Sequence, residues 1–193
     1  MNHLFRNGYL EIIIGPMYSG KTSKLLDYYK KAKIMKLDVI IINHSFDNRY
    51  GENTISNHDL EKYNCLTCKS LKDIDFKELL KHKIIIINEG QFFNKNDKNI
   101  IIDLVDKYKK NVFISGLDGD FNRNKFGDNS SNLLNLLDLI PYCDKVIKLN
   151  SICGFCHKND APFTKRLIDD NNQIVVGTDI YKPVCRDCFK HSL

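Results

Sequence analysis

A glycine-rich segment near the N-terminus, GPMYSGKT at residues 15–22, fits the pattern G-x-x-x-x-G-K-[ST]. It lies between a short apolar run and a longer amphipathic run, where such a segment would join a strand to a helix. Backbone N–H groups of a loop of this kind surround a β-phosphate, and the helix N-terminus adds partial positive charge. Lys21 would reach the β- and γ-phosphates, and the Thr22 hydroxyl would ligate Mg²⁺. The segment therefore predicts binding of a nucleoside triphosphate rather than a chance glycine turn.

A second candidate group is the carboxylate of Glu89, which follows Asn88 and the apolar run of residues 84–87. In a fold with a phosphate-binding loop, a second strand ends beside the phosphates and carries a carboxylate that helps to hold Mg²⁺. Asn88 stands at that position here, and Glu89 follows at the sheet edge where α/β proteins bind ligands. Glu89 could take a proton from the nucleophile that attacks the γ-phosphate. Water as the nucleophile would make the protein an ATPase, and a substrate hydroxyl would make it a kinase.

Six of the seven cysteines form three Cys-x-x-Cys pairs. An odd number of cysteines without an export signal favours metal binding over disulfides. Two of the pairs, separated by the 28 residues 157–184, supply four thiolates and suit one structural Zn²⁺ per chain in tetrahedral coordination. The zinc ligands expected on this basis are Cys153, Cys156, Cys185 and Cys188. Cys65 and Cys68 are expected to be free thiols on a strand or turn, and Cys143 is expected in the core.

The elements that would position these groups alternate between short apolar runs and longer amphipathic ones. The β-branched runs are typical of parallel strands buried on both faces, and they comprise residues 10–14, 39–43, 84–87, 112–115 and 145–149. Helices are expected at residues 22–36, 76–82 and 98–109. This alternation predicts an α/β fold of the P-loop nucleotide-binding type, with helices around a mainly parallel sheet. The pattern ends near Asn150, which predicts a nucleotide-binding domain at residues 1–150 and a small zinc-binding domain at residues 151–193.

Composition and charge restrict the partners and the location of the protein. The chain has 193 residues, is 27% charged and carries a net charge of +5. Acidic and basic residues are interleaved without a basic-aromatic stripe, so a nucleic-acid partner is not expected. No apolar run approaches membrane-spanning length, and the N-terminal segment lacks the apolar core of a signal peptide. A cytoplasmic protein without a membrane partner is therefore expected.

Beyond these patterns, a series of motifs resembles the type II thymidine kinases of the cytosol and of large DNA viruses. The motifs occur in the order and approximate spacing of that family and cover nearly the whole chain: GPMYSGKT at 15–22, DNRY at 47–50, NHD at 57–59, NEGQFF at 88–93, LDGDF at 117–121, TKR at 164–166, and Tyr181 ahead of VCRDC at 184–188. The resemblance implies transfer of the γ-phosphate of ATP, with Mg²⁺, to thymidine. It also implies a homotetramer, feedback inhibition by thymidine triphosphate (dTTP), and a zinc ribbon that holds a lasso loop over the nucleoside.

The resemblance also assigns roles to individual residues. Glu89 would be the general base on the 5′-hydroxyl of the sugar. The residues implied at the ATP site are Gly15, Pro16, Met17, Tyr18, Ser19, Gly20, Lys21, Thr22, Asp47, Asn48, Arg49, Asn88, Glu89, Gly90 and Gln91. The residues implied at the thymidine site are Met17, Phe92, Leu117, Phe121, Phe126, Thr164, Tyr181 and, from the lasso, Asn172, Gln173, Ile174, Val175 and Val176. Phe93 and Phe113 are expected in the core instead.

Three features depart from the family pattern. Asn88 replaces the usual aspartate, Val176 and Thr178 alter a usually glycine-rich part of the lasso, and the segment 127–135 is longer than usual. None of these changes removes a reacting group, so a thymidine kinase is the leading hypothesis. Two alternatives remain: a P-loop ATPase whose zinc module binds nucleic acid, and a catalytically weakened nucleotide-binding relative, which is motivated by Asn88.

Overall fold

Six strands form one central sheet in a computed structural model that describes residues 6–47, 53–56, 62–127, 132–170, 172–175, 177 and 179–191. The first eight strands of the chain include these six, and they are β1 (Tyr9–Ile14), β2 (Val39–His44), β3 (Thr54–Ser56), β4 (Lys62–Asn64), β5 (Leu66–Cys68), β6 (Ile84–Asn88), β7 (Asn111–Gly116) and β8 (Lys145–Lys148). The sheet order is β5-β2-β6-β7-β1-β8, and β3 and β4 form a separate hairpin. Every pairing within the six-stranded sheet is parallel, so the carboxyl ends of its strands meet at one edge.

Helices cover both faces of this sheet. The four α-helices in the described residues are α1 (Lys21–Ile34), α2 (Phe76–Lys81), α3 (Asp97–Asp106) and α4 (Arg186–His191). On one face, Leu25, Leu26 and Tyr28 of α1 are buried against the strands. On the other face, α3 and the 3₁₀ turn Leu136–Tyr142 contribute to a second apolar cluster. Burial of both faces explains why the strands are near-continuous apolar runs rather than alternating ones.

After β8 the chain forms two small antiparallel sheets. Strand β9 (Ser151–Ile152) pairs with β10 (Asp160–Ala161), and β11 (Phe163–Arg166) pairs with β12 (Tyr181–Val184). This part contacts the glycine-rich loop, because Thr164 Oγ1 accepts a hydrogen bond of 3.2 Å from the Met17 N–H. The predicted boundary near residue 150 falls between the large sheet and the small ones, and the division into two domains stays a prediction.

The α/β class and the mainly parallel sheet are confirmed. All five predicted strands and three predicted helices are present, with ends that differ by at most three residues. The sequence did not predict the β3–β4 hairpin or β5 as an edge strand, because strands of three residues are too short to show a periodicity. Phe93 and Phe113 are buried, as expected. Cys143 is only partly buried, because it follows the 3₁₀ turn beside the sheet edge, where its Sγ bonds the Ile140 carbonyl.

Several predicted features lie outside the described part of the chain. They are Asn48 and Arg49 of the DNRY motif, the NHD motif at 57–59, Val176 and Thr178 of the lasso, and residues 128–131 of the segment predicted to be longer than usual. Among the described residues, no helix is long and apolar enough to cross a membrane.

Candidate active site

The glycine-rich loop joins the carboxyl end of β1 to the N-terminus of α1. Gly15 has a φ of 152°, and a Cβ there would lie 2.4 Å from the carbonyl oxygen of Leu149, so a side chain would not fit. Gly20 has a left-handed φ of 82° directly before the helix. The loop from Met17 onward and the first turn of α1 line an open cavity. This is the geometry that a triphosphate requires, because loop N–H groups and a helix N-terminus both attract phosphate.

Two side chains at the start of α1 face the same cavity. Lys21 is buried, and its Nζ donates to the Pro16 carbonyl oxygen at 2.6 Å, within the loop itself. Thr22 Oγ1 donates to Asn88 Oδ1 at 3.4 Å. The ammonium group and the hydroxyl are therefore placed side by side at the end of the cavity that the glycine-rich loop encloses.

Asn88 belongs to a chain of hydrogen bonds across the carboxyl ends of three strands. Its Oδ1 accepts from Ser115 Oγ at 3.0 Å and from Thr22, and its Nδ2 donates to Asn43 Oδ1 at 3.0 Å. Asn43 Nδ2 donates in turn to the carbonyl and the carboxylate of Asp47, at 3.1 and 3.3 Å. Asn43 and Asn88 are register partners on β2 and β6, and both are buried. Because each amide donates on one side and accepts on the other, the two amides fix each other's orientation and turn the Asn88 oxygen toward Thr22.

Glu89 follows β6 with a left-handed backbone, at φ 53° and ψ 43°, which is unusual for a residue other than glycine. The turn brings its carboxylate to the cavity. Glu89 Oε2 accepts from Gln91 Nε2 at 2.6 Å, and Gln91 Oε1 accepts from the Leu117 N–H at 3.0 Å. Gly116 makes room for this amide, since a Cβ there would lie 2.2 Å from Gln91 Oε1. A buried glutamine thus fixes the carboxylate at the edge of the sheet.

Part of the same cavity is lined by apolar side chains and is called the apolar compartment. The cavity as a whole has a volume of about 300 Å³. The apolar walls are formed by Met17, Phe46, Phe92, Leu117, Phe121, Phe126, Ile174, Val175 and Tyr181. A site of this size is at the lower end of those that bind small molecules. The arrangement can hold a flat apolar ring at one end while a triphosphate occupies the other.

The lasso is defined as the connection of residues 167–180 between β11 and β12, and some of its described residues form one wall of this compartment. Gln173, Ile174 and Val175 line the cavity. Gln173 Nε2 also donates to Asp120 Oδ2 at 3.0 Å, which ties the lasso to the loop after β7. Asn172 is not among the lining residues, and its carbonyl accepts a hydrogen bond of 2.6 Å from Arg166.

An aromatic cluster around His44 supports the adjoining wall. The His44 ring lies 4.9 Å from Phe46, 5.7 Å from Phe92 and 5.0 Å from Phe93, measured between centroids. Its Nδ1 accepts from the Phe46 N–H at 3.2 Å, and Nε2 lies 3.1 Å from the Lys69 carbonyl oxygen. Burial lowers the pKa of His44 below its usual value, against the opposing effect of the Lys69 carbonyl. The neutral ring with its proton on Nε2 makes both bonds, so this tautomer keeps Phe46 and Phe92 at the cavity.

The four predicted zinc ligands come together. The Sγ atoms of Cys153, Cys156, Cys185 and Cys188 all lie within 4.8 Å of one another. The Cys156 and Cys185 sulfurs are 3.9 Å apart, close to the separation of about 3.8 Å in a tetrahedral zinc–thiolate site. Burial raises the pKa of Cys153, but hydrogen bonds from the backbone at Cys156, Cys185 and Phe155 outweigh this effect and lower it to about 6. Within the same cluster, the hydrogen bond to Cys185 raises the pKa of Cys188 to about 12, so the fit to a tetrahedral metal ion rests on the spacing of the four sulfur atoms.

The third Cys-x-x-Cys pair is divided by the sheet. Cys65 packs in the apolar cluster on the α1 face, whereas Cys68 packs in the cluster on the opposite face. Both thiols are free and buried, and burial raises the pKa of Cys68 to about 12. These are inert core thiols on and beside β5, in agreement with the expectation from the sequence.

Most of the described residues predicted at the site line this one cavity. Four residues predicted for the ATP site do not line this cavity, namely Gly15, Pro16, Asn88 and Gly90. The sequence reasoning assigned no role to six lining residues, namely Ser23, Phe46, Ser56, Gly119, Asp120 and Gly177, or to the supporting residues Asn43, Ser115 and Arg166, although Gly119, Asp120 and Arg166 lie within the LDGDF and TKR motifs. One sequence signal could have found Asn43. It is the last residue of a predicted strand, Asn88 directly follows another, and neighbouring parallel strands bring their carboxyl ends to the same edge of the sheet.

A glycine-rich loop between a parallel strand and a helix, with a carboxylate at the end of a second strand, defines a P-loop nucleotide-binding protein. The sequence model of the family described as thymidine kinase matches residues 8–189. The chain is 39% identical to the thymidine kinase of Choristoneura fumiferana entomopoxvirus, over 95% of this chain and 97% of that protein. It is 38% identical to the thymidine kinase of Amsacta moorei entomopoxvirus (95% and 98% covered) and 34% identical to that of Vaccinia virus strain Ankara (94% and 97% covered). The chain belongs to the thymidine kinase family, and the resemblance found in its motifs is confirmed.

Proposed function

We propose that this enzyme transfers the γ-phosphoryl group of ATP to the 5′-hydroxyl of thymidine, giving thymidine monophosphate and ADP. The observation that carries the proposal is one cavity in which Lys21, Thr22 and Glu89 adjoin an apolar compartment. Membership of the family supports thymidine as the occupant of that compartment. An apolar compartment next to the carboxylate favours a substrate hydroxyl over water as the nucleophile, since a bound nucleoside would displace water from it.

In the proposed reaction, the Glu89 carboxylate accepts the proton of the 5′-hydroxyl. The 5′ oxygen forms a bond to the γ-phosphorus, the bond from that phosphorus to the β–γ bridging oxygen breaks, and ADP leaves with the electron pair. Lys21 would move from the Pro16 carbonyl to the β- and γ-phosphates, and Gln91 would keep the carboxylate aimed at the hydroxyl.

Mg²⁺ bound with ATP would neutralise charge on the phosphate oxygens. The Thr22 hydroxyl is the proposed protein ligand for the ion. Asn88 Oδ1 lies 3.4 Å from Thr22 Oγ1 and would accept a hydrogen bond from a metal-bound water. Asp47, oriented by Asn43, lines the same end of the cavity and is proposed to act near the phosphates together with the following Asn48 and Arg49.

Thymidine is proposed to bind with its base in the apolar compartment. The walls proposed to contact the base and sugar are those of Met17, Phe92, Leu117, Phe121, Phe126, Thr164 and Tyr181. Gln173, Ile174 and Val175, with the neighbouring Val176, would cover the base mainly through backbone groups. Asn172 is proposed to serve the shape of the lasso rather than the ligand, because its carbonyl is taken by Arg166.

The remaining family properties are proposed by resemblance. The four clustered cysteines would hold one structural Zn²⁺ per chain that joins the two ends of the C-terminal segment. A homotetramer, feedback inhibition by dTTP, a cytoplasmic location and the absence of a nucleic-acid partner are also proposed, together with a domain boundary near residue 150.

The direct test measures where the γ-phosphate of labelled ATP goes. Purified protein with Mg²⁺ should transfer label to thymidine, with little release to water whether or not thymidine is present. Hydrolysis that exceeds transfer and rises with added DNA or RNA would support the ATPase alternative instead. ATP binding without either reaction would support the weakened relative, so each of the three hypotheses predicts a different result.

A further inference from the structure

Arg166, the last residue of β11, is a buried arginine whose hydrogen bonds all reach the lasso or the strand that follows it. Its Nη1 donates to the carbonyl oxygens of Asp170 and Asn172, both at 2.6 Å. Its Nη2 donates to the Gln173 carbonyl at 3.0 Å and to the Tyr181 hydroxyl at 2.7 Å, and Nε donates to the same hydroxyl at 3.2 Å. A guanidinium group carries five N–H donors, and five bonds are present.

The same guanidinium lies against the aromatic wall of the nucleoside compartment. Its central carbon is 3.8 Å from the ring centroid of Phe121, which lines the cavity. Contact at this distance is a cation–π interaction with the flat guanidinium near the ring face. Arg166 therefore connects three carbonyls of the lasso, the Tyr181 hydroxyl and a wall residue on the loop after β7.

The hydrogen bonds also connect Arg166 to Val175 indirectly, through the Tyr181 hydroxyl. Because a guanidinium can only donate, the Tyr181 hydroxyl accepts from Arg166 and uses its own proton elsewhere. That proton goes to the Val175 carbonyl oxygen, at 3.0 Å. Val175 lines the cavity, so the orientation of its peptide group is set through Tyr181 by Arg166.

We propose that Arg166 is a positioning residue for the nucleoside, which fixes the lasso and Phe121 in the binding geometry before the substrate enters. The proposal rests on the proposed function, because it assigns the lasso wall to thymidine. Ordering a loop in advance removes the entropy cost of ordering it on binding, which increases affinity without touching the ligand. The effect should therefore appear in the KM for thymidine and not in the KM for ATP.

Arg166→Lys is the informative variant. Lysine keeps the charge, but a single ammonium group cannot reach four acceptors or stack flat on a ring. We expect the thymidine KM to rise by about tenfold or more, with kcat and the ATP KM within about twofold of the original enzyme. The matched control is Arg123→Lys, an exposed arginine that lies 4.4 Å from the Phe189 ring and has no bond to the lasso among the described contacts. Arg123→Lys should leave kcat, the thymidine KM and the ATP KM unchanged.

Hydrogen exchange followed by mass spectrometry supplies a readout that does not depend on turnover. Peptides covering residues 167–181 should exchange faster in Arg166→Lys than in the original protein, while peptides from β1 and α1 should not change. Tyr181→Phe removes only the hydroxyl bridge and should raise the thymidine KM by roughly fivefold. Because Tyr181 itself lines the compartment, this variant decides the matter only if faster exchange of the lasso accompanies the rise in KM, and it is used if Arg166→Lys does not fold.

A thymidine KM within about twofold of the original in folded, metal-loaded Arg166→Lys would overturn the proposal, as would an equal rise in both KM values. An unchanged thymidine KM in Tyr181→Phe would overturn it when the lysine variant cannot be made. Failure of the original protein to phosphorylate thymidine would instead refute the proposed function. In that case unchanged lasso exchange in Arg166→Lys would still refute the positioning role, and faster exchange would support it.

Discussion

The half of the cavity proposed for the phosphates and the half proposed for the nucleoside, called the phosphate half and the nucleoside half, are built by different means. The phosphate half lies at the carboxyl ends of adjacent parallel strands, where Asn43, Asn88 and Ser115 are buried and bonded to one another. The nucleoside half is made mainly of connecting segments, namely the segment after β7, the 3₁₀ turn Gly90–Phe92 and the lasso, with single residues from the glycine-rich loop, β11 and β12. The side chain of Arg166 bonds its lasso wall, and the cysteine cluster brings together the ends of β9 and β12 and the helix α4.

This difference has consequences for function. The sheet edge is held by ladder hydrogen bonds and a two-sided core, so we expect its groups to keep their geometry when a ligand binds. Among their described residues, the connecting segments of the other half belong to no ladder of the central sheet, and regions of this kind are the first to open locally. Changes at the sheet edge should therefore affect the chemical step, and changes at the lasso should affect nucleoside affinity.

The largest effect is expected from Glu89→Gln. Glutamine keeps the shape and can still bond Gln91, but it cannot accept the proton of the 5′-hydroxyl. Loss of a general base typically lowers the rate by about 10²–10⁴-fold, so kcat should fall by that factor while both substrates still bind. Single-turnover phosphate transfer and equilibrium ATP binding would measure the two quantities.

The control for this variant is Glu78→Gln, which removes an exposed glutamate on α2 that pairs with Lys81. It should behave as the original enzyme. Turnover of Glu89→Gln within a few-fold of the original would remove Glu89 from the mechanism and, with it, the assignment of chemistry to the sheet edge.

The second prediction concerns the metal. Cys188→Ser should abolish stoichiometric zinc binding, because three thiolates and a hydroxyl make a much weaker site. Release of the metal should loosen both ends of the C-terminal segment and raise the thymidine KM by roughly tenfold, with a smaller change for ATP. Metal analysis of freshly purified, reduced protein, together with both KM values, measures this, and Cys143→Ser is the matched control outside the cluster.

An active, reduced protein without zinc would contradict the second prediction. An equal rise in both KM values would show that the cluster supports the whole fold and not the nucleoside half in particular.

The two halves also differ in how far the sequence predicts them. The GPMYSGKT segment and the two C-terminal Cys-x-x-Cys pairs are local patterns, and in the structure the first joins β1 to α1 while the four cysteines of the second come together. The bond between Asn43 and Asn88 joins residues 45 apart and exists only because β2 and β6 are in one register. Arg166 carries no residue-type signal for its role, since three of its acceptors are backbone carbonyls. Contacts made by backbone groups of a loop leave no pattern in the side chains.

The smallest effect is expected from Asn88→Asp, which tests how the metal is held at the sheet edge. A carboxylate beside Thr22 would attract Mg²⁺ more strongly than an amide does, so the Mg²⁺ concentration for half-maximal rate should fall by a few-fold. The same substitution should reduce the stability of the fold, because an aspartate cannot donate a hydrogen bond to Asn43 Oδ1 as the amide does. If Asn43 rotated to repair that contact, its oxygen would face the Asp47 carboxylate instead. We expect the variant to lose about 1–2 kcal/mol of folding free energy.

A Mg²⁺ titration and a denaturation curve separate the two consequences of Asn88→Asp. The titration is run at one pH above neutral for all variants, so that the carboxylate introduced at residue 88 carries its charge. Asn96→Asp adds the same charge at an exposed position before α3 and serves as the control. The thymidine KM should stay nearly constant in both variants, since neither touches the lasso. If Asn88→Asp needs as much Mg²⁺ as the original enzyme, residue 88 serves the amide network and Asp47 rather than the metal. In that case its partner Asn43, and not the ion, explains why an amide stands at the end of β6.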